Sequence, residues 1–301
     1  MKKHSLILIL AAFALLSCDK VDKPFVPGVS TELNTSLYPG DWNTYPWPTF
    51  DANTNTNRNV LIEDYTGHKC VFCPNAAVVA KGIEDANVGR VFVASIHASP
   101  GGVGPFQSTD ASYPNDLTNP MVVKYGEAFE SGYNFTGNPQ GTVSRKEFGG
   151  VLFQQPGTWS NSTTQILTDN DLKTNLQAKA NYYPTTRGLF LHAEIDTMGL
   201  ASSDISVVVY LIENSFVSKQ KFPAGVTDDN YVHHNLHRGN IDNLAFGRDL
   251  KISNLKTNGK YYLDYSYELP TAYDPANCHL LVYTMNKATY EIYQVIKVDI
   301  P

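Results

Sequence analysis

Apolar positions change their spacing along this chain, and the changes divide it. Leu6 to Leu16 is an almost unbroken apolar run. Residues 19–59 show no apolar period; Pro, Asn, Thr and Gly dominate, and 51–59 reads as linker. Residues 60–65 and 90–96 are short continuous apolar runs and predict buried strands. Between them Ala76, Val79, Ala80 and Ile83 recur at helical spacing, and Pro74 suits a first helical turn, where its missing N–H costs nothing. Residues 99–119 carry Gly, Pro, Ser and Asp and predict a long insertion. Asn119-Pro120 opens a helix through Phe129, a short strand follows Pro139, and 169–180 predicts a further helix capped by Asp169 or Asn170. From Arg187 the period becomes two: Leu189, Leu191, Ala193, Ile195, then Ile205, Val207, Val209, Leu211, then Tyr261, Leu263, Tyr265, Tyr267. Residues 280–285 and 292–298 flank Asn286-Lys287 like a hairpin. Alternating strands over this stretch predict an antiparallel sandwich. The change of texture places a boundary near 184–188.

The N-terminal run has the marks of an export signal. Lys2 and Lys3 precede it, and it ends Leu15-Leu16-Ser17-Cys18. It is shorter than the roughly 20 residues that a membrane span needs. A small residue followed by Cys at the cut resembles the lipobox of bacterial lipoproteins, so Cys18 is expected to carry the lipid and to hold the protein on a membrane. Two or three acyl chains anchor firmly, at about 0.8 kcal/mol for each buried methylene. The expected organisation is signal peptide 1–17, lipidated tether 18–57, an α/β unit 58–184 with an insertion at about 98–119, and a β-sandwich 185–301.

Charge removes one class of partner. The formal net charge is −6, and loss of residues 1–17 takes away two lysines and makes the chain more acidic. That argues against nucleic acid. No internal repeat or heptad pattern occurs. The four cysteines are Cys18, Cys70, Cys73 and Cys278, too few and too unevenly spaced for a disulfide framework. Cys278 opens an apolar strand and is expected to be an inert buried thiol.

Cys70-Val71-Phe72-Cys73 lies between a strand and a helix start, and this carries the strongest chemical signal. Unpaired N–H groups and the helix dipole there favour a thiolate. Two intervening residues let the second sulfur close a small ring. Exchange then runs through thiolate attack, a mixed disulfide and resolution; Cys70 is expected to attack from an exposed position, with Cys73 resolving and Lys69 steadying the thiolate. Two other chemistries fit the same spacing. One is a static disulfide stapling the helix start. The other is a metal site with His68 or His97, although zinc wants four ligands. His233 and His237 would share a face if helical and form a weaker metal candidate. Nothing requires a cofactor: covalent haem would need His after the second Cys, where Pro74 stands.

The arrangement resembles a thioredoxin fold. In thioredoxin-like proteins a cis-Pro faces the Cys pair, and Pro139 lies in the matching place. A thioredoxin also carries a buried acid near the end of its first strand, and Asp64 lies six residues before Cys70. The stretch Val60-Leu-Ile-Glu-Asp-Tyr-Thr-Gly-His-Lys-Cys-Val-Phe-Cys-Pro-Asn75 is similar to the signature of the twenty-eight-kilodalton outer-membrane-protein family of lipoproteins. Gly137-Asn-Pro-Gln-Gly-Thr-Val-Ser-Arg145 and Tyr231-Val-His-His-Asn-Leu-His-Arg238 extend the match. The resemblance implies a thioredoxin-like domain, then an immunoglobulin-like sandwich, on an outer-membrane lipoprotein. Val71-Phe72 is neither Gly-Pro nor Pro-His, and no Trp precedes Cys70, so redox direction stays open. The expected activity is thiol–disulfide exchange on exported or cell-envelope proteins. A non-catalytic binding or assembly lipoprotein using the sandwich is the alternative, and a metal carrier a third.

Overall fold

The computed structural model describes residues 32–301. The export signal and Cys18 lie outside the described residues. The first apolar run gives strand β1 (Val60–Tyr65), every residue of it buried. Helix α1 (Cys73–Ala86) follows, then β2 (Val91–Ile96), parallel to β1. Helix α2 (Pro120–Ala128) is capped by the Asn119 side chain, which accepts from two backbone N–H groups of its first turn. Strand β3 (Gln140–Val143) then pairs antiparallel with the other side of β1.

The predicted helix at 169–180 is not there. Helix α3 (Trp159–Asp169) ends where that helix was expected to begin, and strand β4 (Asn175–Tyr183) takes its place. Asn170 stops α3 in the left-handed conformation at φ 46°, and its carboxamide oxygen accepts from Arg58 N–H. Leu176, Ala178, Ala180 and Tyr182 then pack on one core at period two. Helix α3 leaves little trace in the sequence because few of its residues are apolar; its buried stripe is Trp159, Ser162, Thr163 and Ile166.

Beyond β4 come β5 (Gly188–Asp196), β6 (Ile205–Val217), β7 (Gln220–Lys221), β8 (Thr227–Asp228), β9 (Val232–Asn240), β10 (Arg248–Asp249), β11 (Tyr261–Glu268), β12 (Cys278–Asn286) and β13 (Ile292–Asp299). Strands β11, β5 and β4 form one sheet, and β7 with β8 a two-residue hairpin. The large sheet runs β13-β12-β6-β9-β2-β1-β3, with β10 added to β6. The join is Ser95 beside Leu236, parallel. Strands from the first half and from the second half therefore share one eight-stranded sheet.

That sheet is covered on both faces, which explains why Ile205 through Glu213 are buried without alternation. On one face Val207, Val209, Leu211, Leu280 and Val282 meet Leu189, Leu191, Ala193 and Ile195 of the small sheet. On the other, Val208, Tyr210, Leu281 and Tyr283 pack with Tyr125 and Phe129, and with Leu61 and Tyr65 of β1. A third cluster puts Ala76, Ala80 and Ile83 of α1 and Trp159 of α3 on Val60, Ile62 and Val93.

Residues 32–59 are no free linker. Leu37 and Tyr45 are buried against Phe190. Asn53 donates to the Leu176 carbonyl, while Gln177 and Lys179 donate to the carbonyls of Asp51 and Thr49. Arg58, fully buried, pairs with Glu291 and donates to the Ile292 carbonyl. The segment has no apolar period because side-chain amides and backbone groups hold it. Among the described residues no helix is long and apolar enough to cross a membrane.

Candidate functional site

Cys70 and Cys73 are joined as a disulfide at the end of β1. Helix α1 begins at Cys73, with Pro74 in its first turn. Cys70 therefore stands one turn before the helix, a correction to its expected place at the helix start. Gly67 lets this loop close: a Cβ there would lie 2.6 Å from the Phe106 carbonyl oxygen. The insertion packs on the loop from that side, since Lys69 N–H donates to Phe106 and Gln107 donates to the Thr66 carbonyl.

The larger correction concerns exposure. Cys70 and Cys73 are each 1 % exposed. Gln220, at the base of the β7–β8 hairpin, donates to the carbonyl of Cys70 at 3.0 Å, and Lys221 N–H donates to the carbonyl of His68 at 2.9 Å. The cover comes from 150 residues down the chain, so no local pattern could show it. Lys69 is turned toward the insertion. Its ammonium pairs with Asp110 at 2.7 Å and lies over the Tyr113 ring.

The Asn138–Pro139 bond is cis. Gln140 pairs with Tyr65, so Pro139 lies where β1 gives way to the cysteine loop. Asn138 fixes that turn: its amide donates to the Ala98 carbonyl and its oxygen accepts from Ser99 and Gln107.

Asp64 is 1 % exposed, its carboxyl is pushed up to about 7 by burial, and its Oδ1 has no hydrogen-bond partner among the described residues. His97, just past β2, is as deeply buried, neither ring nitrogen has a partner among the described residues, and burial holds it neutral, well below the usual imidazole range. His233, on β9, has its ring 5.5 Å from that of His97. Burial lowers it to about 4. Together with Cys73 these residues border a cavity of about 20 Å³. The meeting of His97 and His233 with Asp64 was not legible, because it depends on β9 lying beside β2.

The remaining candidates go elsewhere. His68 stacks on Tyr113, with Nε2 3.1 Å from the Ser108 carbonyl oxygen. His233 and His237 lie on a strand, not a helix. His237 is held by Asn119 and Asn240 and packs on Tyr210. Among the described residues no group of three or more His, Cys, Asp or Glu is arranged to hold a metal. Cys278 is a buried free thiol, pushed up to about 12 by burial.

The neighbouring residue on β1 shows the opposite arrangement. Glu63 is fully buried and takes two bonds of 2.7 Å from Arg145, with further bonds from Thr142 and Tyr210 at 2.8 Å. Burial alone would raise its carboxyl, but the Arg145 charge and these bonds outweigh it and hold the carboxyl below the ordinary range.

Comparison with known proteins adds the following. The sequence model of the family described as "Outer membrane protein Omp28" matches residues 126–301. Among solved structures, HBP35 of Porphyromonas gingivalis is similar with a TM-score of 0.60 at 16 % identity, covering 82 % of this chain and 77 % of its own. At that identity the likeness speaks to fold alone. A domain of the outer membrane lipoprotein Omp28 from Porphyromonas gingivalis is 22 % identical over 43 % of this chain and 89 % of its own, with a TM-score of 0.29. No curated protein matches this chain.

Proposed function

The chain belongs to the Omp28 family of outer membrane proteins, and on that premise we propose that it is an outer-membrane lipoprotein whose cysteine pair exchanges disulfides with exported or cell-envelope proteins. Lipid on Cys18 is the anchor. The order β1–α1–β2–α2–β3–α3, with β3 antiparallel to β1, supports a thioredoxin-like unit within 58–184, while β4 at its end pairs with β5 of the sandwich. The β-sheets that pack face to face after it support an immunoglobulin-like sandwich at 185–301.

The observation that carries this reading is the disulfide before α1 with a buried acid, Asp64, whose Oδ1 has no hydrogen-bond partner among the described residues and which borders the same small cavity as Cys73. The β7–β8 hairpin first moves off Cys70, which is 1 % exposed; a partner thiolate then attacks the Cys70 sulfur, the intramolecular S–S bond breaks, and Cys73 leaves as a thiolate that takes a proton. The partner's second thiol then attacks its own sulfur in the mixed disulfide and releases Cys70. Two electrons pass from the partner dithiol to the pair. Pro139 bounds the loop on which the partner chain would lie. In the reduced protein a Cys73→Ser variant should trap a mixed disulfide through Cys70. A Cys70 that no alkylating reagent reaches in the reduced folded protein would end the proposal.

One observation favours a second reading. Both cysteines are sealed beneath Gln220, as a structural staple would be. The sandwich would then serve binding or assembly, and a Cys70→Ser, Cys73→Ser double change would leave partner binding intact.

A further inference from the structure

A groove of about 670 Å³ lies between β3, α3 and the turn at 148–151, a size ordinary for a small-molecule site. Twelve residues line it, and none of them carries a charge. Half are carboxamides: Asn134, Gln140, Gln154, Gln155, Asn161 and Gln165. Gln140 is committed to the wall itself. Its oxygen accepts from the N–H groups of Thr136 and Gly137, and its nitrogen donates to the Asn134 carbonyl. Gln155, Asn161 and Gln165 are exposed and open to a ligand. Gln154 is buried, and Ser162 and Thr158 donate to its oxygen at 2.6 and 3.2 Å. Its Nε2 has no hydrogen-bond partner among the described residues. A buried donor without an acceptor costs free energy and needs a reason. The half-buried Phe148 and Val151 give the same wall an apolar strip.

We propose that this groove is a carbohydrate site that takes a short neutral oligosaccharide. A charged ligand would find no counter-charge on the wall. A purely apolar ligand would strip water from the carboxamides and replace none of its bonds, a cost paid at each. A peptide adding itself as a strand would need the outer edge of β3. That edge is taken, since Gly141 and Gln154 exchange backbone N–H···O bonds of 3.0 and 2.7 Å. A sugar matches what remains. Each of its hydroxyls both donates and accepts, and each carboxamide offers two donors and an acceptor. The C–H face of a pyranose ring is apolar and suits Phe148 and Val151. A hydroxyl oxygen on the ligand supplies the acceptor that Gln154 Nε2 lacks. None of Cys70, Cys73 and Asp64 borders the groove, so the inference stands apart from the exchange reading.

An array of immobilised neutral oligosaccharides, acidic oligosaccharides and short uncharged peptides tests this on the full chain with its disulfide intact. Neutral oligosaccharides should be retained, and the other two sets should not. Affinity for the glycan retained most strongly is then measured by titration calorimetry. Added salt should leave it unchanged, since no ion pair forms. Asn161→Ala and Gln165→Ala should each weaken it roughly fivefold, the loss of one hydrogen bond. Phe148→Ala should weaken it through the lost ring contact. Gln154→Glu keeps an acceptor for Ser162 and Thr158 but removes the unpartnered donor, and should weaken binding roughly tenfold or more. If that variant does not fold, the two exposed substitutions decide. Lys81→Ala on α1, outside the groove, should bind as wild type. Retention of no neutral oligosaccharide would overturn the inference. So would a preference for acidic glycans or peptides, an affinity that falls with salt, or wild-type affinity in both exposed variants.

Discussion

Glu63 and Asp64 are neighbours on one buried strand, yet the protein treats them oppositely. Glu63 points to a cluster in which Arg145, Thr142 and Tyr210 satisfy its carboxylate. Asp64 points to the cysteine side, where its Oδ1 and both nitrogens of His97 find no partner among the described residues. Alternation along a strand sends successive side chains to opposite faces, so one strand separates a paired ionic core from an unpaired one. A buried pair that merely holds a fold is expected to be complete. The incomplete cluster lies beside the disulfide, and perturbed groups of that kind collect at working sites.

The largest effect should come from breaking the complete side. Arg145→Leu leaves the Glu63 charge buried without its partner and should cost about 3–5 kcal/mol in chemical denaturation. A loss under about 1 kcal/mol would mean that the pair is not the structural half of the contrast.

The two acids should next be separable by pH. Asp64 has a folded value of about 7, above the roughly 3.9 of an unfolded aspartate. The folded state therefore holds an extra proton between those values, and stability falls as pH rises across that window, by about 1.4 kcal/mol for each pH unit. Asp64→Asn should thus match wild type near pH 4 and exceed it at pH 8 in urea melts. Glu63 is held low, so its stabilisation is present above the ordinary carboxylate range and is lost as pH falls below it. His97 and His233 are held neutral, so each is without pH-linked effect above about 6.5 and costs stability as the unfolded imidazole gains a proton below it. An Asp64→Asn variant with no pH-dependent gain would place the acid among satisfied groups.

A smaller effect concerns access. Gln220→Ala removes the bond to the Cys70 carbonyl and should cost about 1 kcal/mol while speeding reduction of the disulfide by dithiothreitol. An unchanged rate would show that the hairpin does not govern access. The smallest effect should be Lys69→Ala. Its exposed pair with Asp110 is worth about 0–1 kcal/mol, and its reduction rate should equal that of wild type.

Local patterns carried much of the architecture. Strands β1 and β2 were legible as short apolar runs, α1 and α2 from spacing and from Pro74, Asn119 and Pro120, and β12 with β13 as a hairpin. Strand β4 was not, because Asp169-Asn170 looks like a helix start when it is a helix end, and because mixed polar residues mask the period of two in Leu176, Ala178, Ala180 and Tyr182. The cysteine pair, Asp64 and Pro139 were legible from spacing and resemblance. The seal over Cys70 and the pairing of His97 with His233 were not. Both depend on distant segments returning, β9 beside β2 and the β7–β8 hairpin over the cysteine loop, contacts that no window of the sequence contains.

The most direct measurement uses the protein's own free thiol as a clock. Cys278 is buried in β12 and reports global opening. The folded chain is incubated with dithiothreitol and an alkylating reagent at neutral pH, and labelling of each cysteine is followed by mass spectrometry. Disulfide exchange in the native state predicts that Cys70 and Cys73 are labelled while Cys278 stays unlabelled. Labelling of all three at one common rate would show that the disulfide opens only when the fold does, and would contradict it.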